Sequence, residues 1–394
     1  MGSASVTSGE VTLLPVEDLG RIVAYALEIG LDPMVMTNGE RLLQQADYLA
    51  TLVRDHGLQK VSFHVDSTQR GRPGWRREQA EEELHPLRDR FAELVRQTRD
   101  QTGQVLHAAM TMTVTDANVA GVPGVMDWAL DNADAVRLVS FLPVAPVGRT
   151  RDEGADDLDL DGVWRLICQG AGQLLNRDAL RFGHRECNIT VPVVVVHTGA
   201  RRRIIEVVRA ERSWDRRVMR RALREFAPGM HVDARLPRTV MRLAMALLLR
   251  PLTLMELCAY GLYRAWTEKA TIGSILAALC TRQGFRLRPQ MLVTHRFMGA
   301  AEIDTELGRE RLQACVFRVP VDGEMVSMCQ VNAGDMRQRL TQRRTHELAR
   351  RRSQAGSQPA GSAHREAALA PGLVVQAPVI GDDPDLVTGS LGAI

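Results

Sequence analysis

Residues 15–150 switch repeatedly between a helical and a strand-like hydrophobic period, and no other feature of the sequence limits its possible folds as tightly. Val16–Ile29 carries apolar residues at helical spacing (Leu19, Ile22, Val23, Ala26, Leu27) and stops at Gly30, a residue type that favours helix ends. Met34–Thr37 is a short apolar strand closed by Asn38-Gly39. Arg41–Val53 is helical again, Lys60–Asp66 a strand, Glu78–Gln101 a long helix, Leu106–Thr115 a strand, Val122–Asn132 a helix and Val136–Pro143 a strand. Strands separated by helices point to a parallel sheet or barrel, because a parallel pair needs a long crossover between its members.

Two of these strands are unusual for a parallel sheet. Interior parallel strands read as continuous apolar runs, since helices cover both faces. Here Val61, Phe63 and Val65 alternate with Ser62, His64 and Asp66. Leu106, Met110, Met112 and Val114 likewise alternate with His107, Thr111, Thr113 and Thr115. A polar row on an interior strand implies a wet or ligand-filled lumen. The other reading is an antiparallel sheet with one solvated face; the helices between all the strands favour the lumen.

Beyond Gly148 the pattern changes. Asp152–Asp161 is acidic and loop-like, Val163–Leu175 a short helix, and Thr190–His197 a valine-rich strand. Arg201–Phe226 and Arg238–Cys280 read as helical. Gln290–Met298 and Cys315–Cys329 read as short strands and turns, with Asp322-Gly323 marking a hairpin. From about Thr345 the composition turns to Arg, Ser, Gly, Ala and Pro, the signature of a disordered tail. The expected divisions are 1–150 for the partial barrel, 151–200 for a connecting segment with His184 and Cys187, and 201–289 for a helical region. Residues 290–340 would form a module bearing Cys315 and Cys329, and 341–394 the tail.

Several short motifs fall in a fixed order along this frame. They are Ser8-Gly9-Glu10, then Val35-Met36-Thr37-Asn38-Gly39, then Val61-Ser62-Phe63-His64-Val65-Asp66-Ser67, then Thr113-Val114-Thr115-Asp116-Ala117-Asn118, then Leu138-Val139-Ser140-Phe141-Leu142-Pro143. In order and spacing they resemble the strand-end turns of the radical S-adenosylmethionine (SAM) enzymes. The resemblance implies a partial (βα) barrel and a SAM pocket at the carboxyl ends of its strands, where parallel barrels hold ligands. Gly9 and Glu10 would face the methionyl amino group, Ser62, Asp66 and Asn118 the carboxylate or ribose, and Asn38 would sit at the same rim. Read singly, Asn38, Asp66 and Asn118 are also ordinary turn residues. The implied activity is reductive cleavage of SAM followed by hydrogen abstraction from a carbon substrate, small or lipid-like.

One departure is serious. The family's Cys-x3-Cys-x2-Cys loop precedes the Gly-Glu turn, but the first cysteine here is Cys168. Those three thiolates hold the iron–sulfur cluster that supplies the electron. The first strand and helix, and most of the second strand, would therefore be missing. The remaining strand edges would be unpaired and the protein poorly soluble, unless another chain supplies the amino-terminal part. Cys187, Cys315 and Cys329 form a second constellation, loosely similar to the accessory-cluster regions of tetraether lipid synthases and pterin-methylating enzymes. They could ligate an auxiliary cluster or a single metal, or be three unrelated thiols. Cys168, Cys258 and Cys280 lie on apolar helical faces and read as core, and His107 and His197 as satisfied core or lumen groups; His295 is a possible substrate contact.

Composition adds exclusions. The 394 residues carry a net charge of +3, and the arginines are spread along the whole chain, so no specific nucleic-acid partner is indicated. The arginine run 337–352 lacks the interleaved aromatics that stack on bases. No secretory leader or transmembrane span is evident, and six cysteines in a chain of this length do not make a disulfide scaffold, so a reduced cytoplasmic setting is expected. No Gly-x-Ser-x-Gly or His-Glu-x-x-His motif points to a hydrolase. Three possibilities stay open: the remainder of a longer enzyme, a non-catalytic SAM- or substrate-binding module, and a zinc-supported structural protein.

Overall fold

The computed structural model describes residues 2–7, 9–76, 78–147, 158–180, 182–199, 201–226, 250–280 and 285–333, with Met245, scattered residues between 336 and 346, and 373–376. It is an α/β structure built on one eleven-stranded sheet. The strands are β1 (Gly2–Val6), β2 (Leu31–Thr37), β3 (Lys60–His64), β4 (His107–Val114), β5 (Val136–Pro143), β6 (Asn188–Thr198), β7 (Arg201–Glu206), β8 (Phe285–His295), β9 (Phe317–Val321), β10 (Glu324–Ser327) and β11 (Leu373–Gln376). Their order across the sheet is β10-β9-β11-β1-β2-β3-β4-β5-β8-β6-β7.

The centre of the sheet, β1-β2-β3-β4-β5-β8, is parallel, and both flanks are antiparallel. From β1 to β5 the spatial order follows the chain order. Right-handed crossovers repeated in one direction put every connecting helix on the same face. These are α1 (Val16–Glu28), the short α2 (Glu40–Gln44) and α3 (Ala46–Arg54), α4 (His85–Thr102) and α5 (Val122–Asp131). The core lies between this helical layer and one face of the strands. It contains Val35, Val61, Phe63, Met110, Met112, Val139, Phe141 and Leu292, together with Leu19, Val23, Phe91, Val95 and Trp128 from the helices.

Local chemistry sets the element ends. Pro86 opens α4, where its missing N–H costs nothing, and Gly103 at φ +66° closes it. This splits the long helix expected over Glu78–Gln101 into a short 3-10 turn, Glu81–Leu84, and α4. Gly39, at φ +76°, reverses the chain after β2, where a Cβ would lie 2.3 Å from Phe91 Cε1 and 2.8 Å from Phe63 Cδ1. Those two rings stack with centroids 4.4 Å apart. Glycine alone fits this turn both conformationally and sterically.

Other expectations need correction. A strand does precede Glu10: Gly2–Val6 pairs with β2 over five residues. Arg201–Glu206, read as helical, is β7, because its hydrogen bonds are taken by the valine-rich β6. Helix α6 (Leu160–Ala171) lies ahead of β6 in the chain, and α7 (Ser213–Phe226) follows β7. Within the segment read as a tail, Leu373–Gln376 forms β11 and lies antiparallel along the outer edge of β1. Cys258 and Cys280, read as core, are exposed, since α8 (Pro251–Thr267) and α9 (Lys269–Cys280) also turn Leu252, Leu262, Trp266 and Leu279 outward. Most of the acidic loop, of the apolar run 240–249 and of the arginine run 337–352 falls outside the described residues. Among the described residues no helix is long and apolar enough to cross a membrane.

Candidate functional site

The face of the sheet opposite the helices carries the polar row expected from the alternation. Adjacent strands place Met36, Ser62, Thr111, Ser140, Val293 and Thr190 across it. Ser62 and Thr111 are buried and meet at 3.2 Å, Oγ to Oγ1. Met36, Ser140 and Val293 are half-buried.

At the carboxyl ends of these strands the side chains singled out from the sequence do come together. Gly9, at φ +58°, turns the chain after β1. The next residue, Glu10, spans two loops. Its Oε1 accepts from Thr12 N (3.1 Å), Thr12 Oγ1 (2.6 Å) and Thr37 Oγ1 (2.6 Å), and its Oε2 from Asn38 N (2.8 Å). Asn38 Oδ1 in turn accepts from Glu40 N at 2.9 Å, starting α2. Arg72 donates to the carbonyls of Asn38 (3.1 Å) and His64 (2.8 Å), joining the tips of β2 and β3.

Asp66 is buried at the tip of β3. Its Oδ1 accepts from Thr68 N (2.9 Å) and Thr68 Oγ1 (2.5 Å), and its Oδ2 from Thr113 N (2.7 Å) and His64 Nε2 (2.6 Å). Burial alone would raise its pKa; the bonds from His64, Thr68 and Thr113 outweigh that and hold it below the usual carboxylate range. Asn118 is also buried. Its Oδ1 accepts from Thr115 N (2.8 Å), while its Nδ2 donates to Thr113 O (2.9 Å) and Glu81 Oε1 (3.0 Å). Glu81 also accepts from Ser67 N at 2.8 Å and forms a fully buried ion pair with Arg88.

Hydrogen bonds therefore join Glu10 to Asn38 and tie Asp66 and Asn118 to Thr113, with Arg72 linking the tips of β2 and β3, and the bonding capacity of these residues is largely spent on one another's loops. Asp66 accepts four bonds from the protein itself, which is all that a carboxylate has sites for. These residues brace the rim. The side chain best placed to meet a ligand is His64, which the alternating pattern marked only as polar. It is 38% exposed, and its Nε2 is held between Asp66 Oδ2 and Thr113 Oγ1 (2.9 Å). Nε2 is the ring nitrogen that meets Asp66 and Thr113, so Nδ1 is the one these two contacts leave uncommitted.

The cysteine constellation also converges. Cys187, Cys315 and Cys329 lie close enough to feel one another's charge. Cys187 Sγ accepts from Arg311 Nε at 3.1 Å, Cys329 Sγ from Met298 N at 3.5 Å, and Cys315 Sγ donates to Phe317 O at 3.2 Å. The hairpin is as expected: β9 and β10 pair across Asp322 (φ +51°) and Gly323 (φ +87°). His295 is buried beside this cluster, with its ring centroid 4.6 Å from that of Phe297 and 4.2 Å from that of Phe317. Burial, helped by Arg311, pushes its pKa down to about 3, and neither ring nitrogen has a partner among the described residues.

Metal ligation requires thiolates. Burial raises the Cys187 thiol against the pull of Arg311 and pushes Cys329 up to about 12. Among the described residues no group of three His, Cys, Asp or Glu side chains is disposed to hold a metal ion. As arranged, the cysteines do not fit an auxiliary cluster. His107, read as a satisfied group, is half-buried, and its buried Nδ1 has no partner among the described residues. No protein-family model matches the chain, and no curated protein is detectably similar to it.

Proposed function

We propose that this chain is a radical-SAM-type partial barrel acting as a binding module for SAM or a close adenosyl relative at the carboxyl ends of β1–β4. The observation that supports this reading most is the hydrogen-bonded rim. Glu10 clamps the β1 loop to the β2 loop, and Asp66 clamps the β3 tip to the β4 tip and holds His64, which is partly exposed. A prebuilt rim of this kind lowers the ordering cost of binding a small ligand.

In this reading His64 Nδ1 accepts from a ribose hydroxyl, Oε2 of Glu10 offers its remaining lone pair to the ammonium, and Met36 lies along the adenosyl moiety. The family's reductive chemistry needs a cluster loop, and these 394 residues contain no Cys-x3-Cys-x2-Cys. No redox step is assigned to this chain. A strand supplied ahead of β1, from this chain or a partner, would have to displace β11 from the edge it occupies.

Isothermal titration calorimetry with SAM and S-adenosylhomocysteine tests the proposal. Saturable binding that weakens at least tenfold in His64→Ala is expected. No heat with either ligand up to millimolar concentration would end it.

A further inference from the structure

At the opposite end of the strands, where β4, β5 and β8 begin, several arginines gather around the carboxylates of Asp131 and Asp134. A cavity of about 410 Å³ opens there, walled by Asp131, Asp134, His197, Phe285, Arg286 and Arg288. Its two acids are already engaged by arginines outside that wall. Asp134 takes Arg96 through both oxygens at 2.8 Å, and Asp131 takes Arg202 at 2.5 Å. Arg286 and Arg288 remain in the wall.

Behind Arg288 stand Arg99 and Arg137, close enough to repel it and each other, with the neutral His107 beside them. Four nitrogens of this group (Arg99 Nη2, Arg137 Nε, Arg288 Nε and His107 Nδ1) are buried with no hydrogen-bond partner among the described residues. Arg99 donates to the carbonyls of Val95 (3.4 Å) and Asp134 (3.1 Å) and Arg137 to that of Pro289 (2.9 Å), while the Asp134 carboxylate, already bound to Arg96, offsets their charge only in part. Burial first, and then the neighbouring guanidiniums, bring Arg137 down to about 10 and His107 to about 3.

Unpaired buried donors are rare because each costs the desolvation of a polar group, and several clustered cations add mutual repulsion. One anion would relieve both costs. Guanidiniums suit tetrahedral oxyanions through paired N–H donors, and a cavity of this size admits a small organic molecule. We propose that this cavity binds a phosphate-bearing small molecule, its phosphate seated against Arg286 and Arg288 and its organic part against Phe285. The site is independent of the ligand proposed for the strand tips, which lies at the other end of the sheet.

The test is thermal unfolding of the full chain in inorganic phosphate against chloride at matched ionic strength, followed by calorimetric titration. Phosphate is expected to raise the melting temperature with saturation in the millimolar range. Arg288→Gln is expected to abolish that rise while matching or exceeding the wild type in chloride, because it removes a cation that lacks a counterion. Arg286→Gln, on the exposed wall, is the second variant and is expected to weaken phosphate at least fivefold. Ribose 5-phosphate binding tighter than inorganic phosphate would identify an ester as the occupant, and equal binding would identify free phosphate. Equal melting in phosphate and chloride, or a full phosphate response in both variants, overturns the proposal.

Discussion

Replacing Arg88 with methionine probes the rim through the charge pair buried beneath it. The side chains of Glu81 and Arg88 are both 0% exposed. Arg88 also donates to the carbonyls of Glu81 (2.6 Å) and Val65 (3.1 Å), so its loss strands one carboxylate and two carbonyls away from water. Glu81 would keep only Ser67 N and Asn118 Nδ2. Removing one partner of a buried pair costs about 3–5 kcal/mol, most of it the uncompensated charge that remains. Urea unfolding followed by circular dichroism at neutral pH should therefore show Arg88→Met less stable by about that amount. The double variant Glu81→Gln/Arg88→Met should cost less than the sum of the two single variants, because the second change removes the stranded charge. Trp75 donates to Ser67 O at 2.7 Å, so its fluorescence should report loosening of the same loop. An Arg88→Met variant within about 1 kcal/mol of wild type, or strictly additive single costs, would refute the reasoning.

Gly39→Ala should lose about 2–4 kcal/mol in the same assay, combining left-handed backbone strain with overpacking against Phe91 and Phe63; a loss below about 1 kcal/mol would show that the turn relaxes. His295 is neutral in the fold, with a pKa near 3 against an ordinary 6.5, so its contribution is complete above about pH 6.5 and is lost as pH falls toward 3. His295→Phe should flatten the acid limb of the stability–pH curve by up to about 1.4 kcal/mol per pH unit, and an unchanged slope would contradict the burial argument. Deleting residues after Thr345 removes β11 and bares the outer edge of β1; the shortened chain should self-associate in size-exclusion chromatography, and an unchanged elution profile would count against that edge pairing.

The parallel centre of the sheet was legible because its signals are local. Hydrophobic period separated β3 and β4 from α4 and α5, and the alternation of Ser62 with Phe63 and of Thr111 with Met112 marked a polar face that the sheet retains. The rim residues were recognised by position, but their roles were not. An Asn or Asp at a strand tip looks the same in sequence whether it waits for a ligand or braces a loop. Only Asp66 Oδ2 meeting Thr113 N, 47 residues away, separates the two cases. Arg201–Glu206 was misread because charged residues on an edge strand mimic a solvated helix, and its partner β6 decides the matter. The arginine-rich cavity was invisible for the opposite reason. Arg99, Arg137 and Arg288 belong to three different elements and meet only after α4, β5 and β8 have been placed.

The first strand and the last are neighbours in the sheet. β1 gains its outer partner only when β11 arrives, which requires roughly 370 further residues, or about 20–75 s at ordinary rates of synthesis. Through that interval β1 has, among the described strands, β2 on one side and no partner on the other, so the nascent protein must either delay forming β1 or shelter it. Ribosome-bound helpers acting early on this chain would be guarding one row of five residues.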